Sequence, residues 1–202
     1  MNKKLKYIIL IICLIIFILL SILVLNKRDF IIDSFIYSII EKTINKSTTD
    51  AIKVLTYLGS AYPFILIIIL SLFVKNKKYC KYLSINLILI SIINVIMKSL
   101  FSRPRPLDIS LVEEVGYSFP SGHTLTSMAF YGLLIYFVTK SNLSKRLKII
   151  LNTILSLLIL IVGLSRIYLG VHYFTDVIGG FLLAIIYLII FISVLENKKV
   201  TF

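Results

Sequence analysis

Six apolar runs separated by short polar stretches occupy most of this 202-residue chain, at roughly residues 7–25, 54–74, 82–99, 124–139, 149–165 and 174–195. Each is near the ~20 residues that a helix needs to cross the hydrocarbon core of a bilayer. No water is present there to satisfy backbone N–H and C=O groups, so a crossing segment must close its own hydrogen bonds. The expected fold is therefore all-α, an integral membrane bundle of six transmembrane helices forming one domain over residues 1–202. Composition agrees: 59% of the residues are hydrophobic and the mean hydropathy is +1.01, more than a soluble core requires. Six spans use nearly the whole length and leave no room for a second soluble domain.

The net charge of +13 does not point to nucleic acid, because the Lys and Arg residues are scattered between apolar runs instead of forming one basic face. They serve better as topology signals. With the N-terminus inside, thirteen of the 22 Lys and Arg, from Lys3 to Lys199, fall on one side and nine on the other. The bias predicts cytoplasmic termini. The first run follows Lys3, Lys4 and Lys6 but ends at Leu25-Asn26-Lys27 with no small-residue cleavage pattern, so it reads as an uncleaved anchor. Large Ile residues precede Cys13, against a lipobox, and Cys13 and Cys80 imply no disulfide framework. Between the first two runs, Asp29 to Lys46 interleaves Phe and Ile with charges. It is expected to form an interfacial amphipathic helix or a helix packed on the bundle. Pro63 is expected to bend the second span.

Polar chemistry gathers in three clusters at the ends of these runs. The first, Lys98-x6-Arg105-Pro106, lies in a loop held extended by Pro104, Pro106 and Pro120. Lys98 and Arg105 can converge on one anion, Lys as a point charge and Arg as a fork. Taken alone, Lys98 reads equally as a cation snorkelling to the interface. The second cluster, Pro120-Ser121-Gly122-His123, opens the fourth run. Ser121 there can cap a helix whose first amides attract phosphate, with Gly122 permitting close approach and His123 standing by as a proton donor; plain capping is the alternative. In the third, Ser165-Arg166-x5-His172-x3-Asp176, the four-residue spacing puts His172 and Asp176 on one helix face. Such a carboxylate fixes the imidazole tautomer and leaves the other nitrogen as a nucleophile, or the two form a structural pair. With six spans, all three clusters reach the same, outer face.

Together the clusters resemble the three-part signature of the type 2 phosphatidic acid phosphatase (PAP2) superfamily, with no departure at a signature position. The motifs cover residues 98–176, and the six-span layout extends the likeness over nearly the entire chain. The resemblance implies a phosphatase without metal or other cofactor. In it His172 would attack phosphorus and form a phosphohistidine, Asp176 would orient His172, and His123 would protonate the leaving oxygen. Lys98, Arg105, Ser121, Gly122 and Arg166 would hold the phosphoryl oxygens. The residues themselves also argue against a metal: two histidines and one motif aspartate crowded by cations make a poor divalent site. Asp108, Glu113 and Glu114 read as solvated loop charges, or as a gate at the entrance.

A site at the membrane's edge suits a lipid phosphate substrate with its tail in the bilayer. The resemblance puts undecaprenyl pyrophosphate first, with phosphatidylglycerol phosphate, phosphatidic acid and diacylglycerol pyrophosphate behind it. A lipid transporter would place ionisable residues mid-span, and a silent scaffold would not need both histidines in register with the cations. The vanadium haloperoxidases share the family fold but are soluble. The chain is thus expected in the plasma membrane as a multi-pass protein with an extracytoplasmic active site; its oligomeric state is not read from sequence.

Overall fold

The computed structural model describes residues 3–28 and 30–198; Asp29 and Lys199, which figure in the predicted interfacial segment and the charge count, lie outside them. Among the described residues there are eight α-helices and no strand. They are α1 (Lys3–Leu25), α2 (Ile31–Glu41), α3 (Lys46–Tyr57), α4 (Ala61–Ser71), α5 (Lys78–Phe101), α6 (Gly122–Lys140), α7 (Lys145–Tyr168) and α8 (Phe174–Asn197). A short 3₁₀ turn at Leu107–Ile109 lies in the loop before α6.

Four helices, α1, α5, α7 and α8, are individually long and apolar enough to cross a membrane. The α3–α4 pair, bent by 43°, supplies a fifth if it counts as one span. The protein is a membrane protein, but six separate spans are more than length and composition support. The difference lies in α6, predicted as the span at 124–139. Its first turns carry His123, Thr124, Thr126 and Ser127, which dilute its hydropathy. It does not need a lipid face, because α5, α7 and α8 pack around it. Leu125, Ala129, Phe130 and Leu133 are fully buried along it, against Phe64, Leu83, Ile90, Ala184 and Leu188 from its neighbours. The outer helices do the opposite: α1 exposes Ile8, Ile11, Ile15, Leu19 and Ile22, as a helix facing hydrocarbon should.

The second span is bent, as expected. The chain breaks at residues 58–60, one turn ahead of Pro63 in the first turn of α4, where the proline cannot donate to the Gly59 carbonyl and its ring crowds that group. At the break Gly59 lets the backbone pass close to α6 and α7. A Cβ there would come within 2.4 Å of Val162 Cγ1 and 3.2 Å of the His123 ring.

The segment after α1 forms α2, which packs on α7 and α8. It turns Ile31, Phe35 and Ile39 outward and buries Asp33 against the bundle. At one end of the bundle Lys6 Nζ donates to Glu196 Oε2 at 3.2 Å, so the first and last helices meet there. At the other end the C-termini of α1, α5 and α7 meet the N-termini of α6 and α8, and all three sequence clusters lie among them.

Candidate active site

The candidate centre is built where α7 hands over to α8. Gly170, just past α7, has φ +65°, and a Cβ on it would lie 2.2 Å from the Ile109 carbonyl oxygen. Glycine is needed on both counts. Leu111 N–H donates to Leu169 O at 2.9 Å, so the loop before α6 is stitched to this crossover just ahead of His172. His172 is 3% exposed. Its Nε2 lies 3.2 Å from Arg105 Nη1, and its Nδ1 lies 3.4 Å from Asp176 Oδ2. A guanidinium can only donate, so Nε2 is the acceptor and the ring proton sits on Nδ1, facing Asp176. The spacing predicted this register, but the contact is a close approach rather than an aligned hydrogen bond: Nδ1 has no hydrogen-bond partner. Burial drives the His172 pKa down to about 4, helped by Arg105 and Arg166 and opposed by Asp176. The imidazole is therefore neutral at pH 7, with a lone pair on Nε2.

Arg105 lies against that lone pair, and Arg166 is close enough for its charge to act on the ring. Carbonyls of its own loop and of the α7–α8 crossover hold Arg105: Nε donates to Gly116 O at 3.0 Å, Nη2 to Val115 O at 3.2 Å and Nη1 to Val171 O at 2.9 Å. Burial lowers its pKa, with Glu114 and Asp176 opposing. Arg166, 2% exposed, donates from Nη1 to Thr56 Oγ1 at 2.9 Å, while its Nε has no hydrogen-bond partner. Lys98 Nζ donates to Tyr117 O. Glu114 stands between the two arginines: Oε1 accepts from Arg166 Nη2, and Oε2 lies 3.7 Å from Arg105 Nη2. Burial opposes its ionisation, but Arg166, His123 and Arg105 outweigh this and hold its pKa below the usual carboxylate value. Of the three loop acids, Glu114 is thus drawn into the cation cluster as an internal anion, in contact with the groups expected to grip a phosphoryl group.

At the start of α6, Ser121 occupies the N-cap position without capping through its side chain. Its hydroxyl instead accepts from Thr124 Oγ1 at 3.0 Å, and its amide donates to Asp176 O at 3.0 Å, tying α6 to α8. Gly122 faces α5, where a Cβ would sit 3.0 Å from the Asn94 amide nitrogen. The amides of Gly122, His123 and Thr124 precede the first helical donor, Leu125. His123 feels the charges of Arg166, Glu114, His172 and Lys98. All eight residues singled out in the sequence thus converge on one end of the bundle.

Two further participants carry no motif. Arg103 Nη1 donates to Asp176 Oδ1 at 2.6 Å and Thr175 Oγ1 at 2.8 Å, and its Nη2 donates to Asp33 Oδ2 at 2.9 Å. Asp33 also accepts from the Thr175 amide and hydroxyl, each at 2.8 Å. Their only sequence signals are a second arginine two residues before Arg105 and a lone acid in an apolar helix. A cavity of about 790 Å³ runs alongside, lined by apolar Phe30, Phe101 and Ile167, by Lys27 and Arg28, and by His172 at the site.

Residues 78–199 match the PAP2 superfamily. A Bacillus subtilis phosphatidylglycerophosphatase B is 40% identical over 97 residues, covering 47% of this chain and 47% of that protein. The bacitracin transport permease protein BcrC of Bacillus licheniformis is 33% identical over 118 residues, covering 55% and 53%. The chain thus spans about half the length of these relatives. Among solved structures, a transmembrane PAP2-type phosphatidylglycerolphosphate phosphatase from Bacillus subtilis superposes with TM-score 0.80 at 24% identity, covering 95% of this chain and 97% of that one. Aquifex aeolicus LpxE superposes with TM-score 0.68 at 27% identity, covering 82% and 97%.

If Glu114 competes with a bound anion for Arg166 and Arg105, Glu114→Gln will bind orthovanadate about tenfold more tightly, the equivalent of one charge-assisted hydrogen bond. Isothermal titration of the purified protein reads this directly. Unchanged or weaker binding would mean that Glu114 is no competitor.

Proposed function

Because the chain belongs to the PAP2 superfamily, we propose that it is a membrane-embedded lipid phosphate phosphatase that works through a phosphohistidine, without a metal. The observation that carries this reading is the orientation of His172. Its Nε2 lone pair points at the Arg105 fork, and its Nδ1 proton faces Asp176.

The phosphoryl group takes the place among Lys98, Arg105 and Arg166 that Glu114 now shares, with Ser121 and the Gly122 amide completing the cradle. His172 Nε2 attacks phosphorus as the bond to the lipid oxygen breaks, and His123, neutral by itself and protonated when the anionic headgroup binds beside it, gives that oxygen its proton. Asp176 stabilises the Nδ1 proton while the ring gains charge. Neutral His123 then takes a proton from water. The water oxygen attacks the phosphohistidine, releasing inorganic phosphate and restoring both rings. The cations act throughout by stabilising charge on the equatorial oxygens.

The 40% identity to a phosphatidylglycerophosphatase moves phosphatidylglycerol phosphate ahead of undecaprenyl pyrophosphate as the substrate, with phosphatidic acid and diacylglycerol pyrophosphate behind. The apolar wall of the cavity suits a lipid tail and its Lys27 and Arg28 suit an anionic headgroup. The Lys6–Glu196 contact puts the first and last helices together at the end opposite the site, and the Lys and Arg bias supports that end as the cytoplasmic one.

A panel of these lipids, presented to the purified chain in one detergent with a chelator present, tests the reading. Phosphate release should be fastest from phosphatidylglycerol phosphate, and His172→Ala should lower it by about 10³-fold or more. Release from soluble esters alone, or activity surviving in His172→Ala, would overturn it. The pH profile gives a second check. The folded pKa of His172 is depressed below that of free imidazole, so the neutral nucleophile persists as pH falls through ~6.5 and is lost only near the folded value of about 4. The His172 ring, followed by NMR over pH, should titrate there, whereas the acid limb of kcat/KM also carries the second ionisation of the phosphate ester at ~6; a ring midpoint at ~6.5 or above would contradict the assignment.

A further inference from the structure

The geometry points to Arg103, clamped by Asp33, as a positioning residue for the nucleophile. This rests on His172 acting as proposed above. Asp176 is fully buried and its two oxygens are divided between tasks. Oδ1 accepts the 2.6 Å bond from Arg103, while Oδ2 accepts from Tyr173 N–H at 2.9 Å and faces His172 Nδ1. Arg103 therefore sets the rotamer that aims Oδ2 at the imidazole. It also offsets the carboxylate charge, so that Asp176 orients the ring without drawing its proton away.

Arg103 is itself fixed from every side. Its guanidinium stacks over Tyr173 at 4.1 Å and lies 5.3 Å from the Phe30 ring, and Asp33 accepts its second arm at 2.9 Å. Side-chain exposure is 13% for Arg103 and 5% for Asp33, where the pairing is little screened by water. Asp33 also accepts from the Thr175 amide in the first turn of α8, supplying a cap from another helix. The clamp thus joins α2, the loop after α5, and α8. Asp33 lies outside the stretch that matches the superfamily, residues 78–199, so a helix peripheral to the signature holds the orienting acid of the site.

Steady-state kinetics of the purified protein on phosphatidylglycerol phosphate test this. Arg103→Gln should lower kcat by about 10- to 100-fold with KM changed less than about threefold, because orientation is lost and phosphate binding is not. Arg103→Lys should recover part of kcat by restoring the charge without the fork, and Asp33→Asn should show the same kcat-selective loss to a smaller degree. If Arg103→Gln does not fold, the other two variants read the same split. Wild-type kcat in these variants, or a loss confined to KM, would overturn the inference. His172→Ala run alongside separates the two claims. Activity persisting in it sinks the nucleophile reading and this inference together. Activity abolished in it, with kcat intact in Arg103→Gln, sinks this inference alone.

Discussion

Everything at the functional end of this bundle follows from gathering Lys98, Arg103, Arg105 and Arg166 where little water can screen them. Like charges brought together in a low-dielectric site repel one another unless fixed anions or dipoles offset them. The protein uses both. Asp33 and Asp176 neutralise Arg103, Glu114 bridges Arg166 and Arg105, and loop carbonyls from Val115, Gly116, Tyr117 and Val171 take up the remaining donors. What is left over, including the unpartnered Arg166 Nε, is a preorganised demand for one more anion.

The fold serves that demand. An inner helix, α6, wrapped by α5, α7 and α8, can carry His123, Thr124, Thr126 and Ser127 in its first two turns without exposing them to lipid. The crossover from α7 to α8 is pinned at Gly170 by the loop before α6, so His172 and Arg105 are placed by one shared strut. Desolvation then acts on the two members of the site in opposite senses. It keeps His172 neutral, as the proposed nucleophile must be, and it sharpens the pull of the cations on an anion bound among them.

The parts legible in the sequence are those whose signal is local. Apolar runs mark α1, α5, α7 and α8, and the i,i+4 spacing puts His172 beside Asp176. Motif residues at the ends of alternate runs must meet on one face, and they do. The parts that were not legible depend on contacts between distant segments. Asp33 and Arg103 are 70 residues apart, and Glu114 reaches Arg166 across 52. No periodicity reports such pairs, so Arg103 read as a topology charge and Glu114 as a loop acid or a gate. For the same reason α6 looked like an ordinary span: hydropathy does not reveal whether the solvent around a helix is lipid or other helices. The bend expected from Pro63 occurs one turn ahead of it, at residues 58–60, and what the sequence did not show is the close approach of Gly59 to Val162 at that break.

The central claim is that His172 bears the phosphoryl group during turnover. Rapid quench of the purified protein with phosphatidylglycerol phosphate labelled in its terminal phosphorus, followed by peptide mapping under alkaline conditions, addresses it directly. The account predicts an acid-labile, base-stable label on the peptide that contains His172. Turnover with no covalent label, or label on His123 instead, would contradict it.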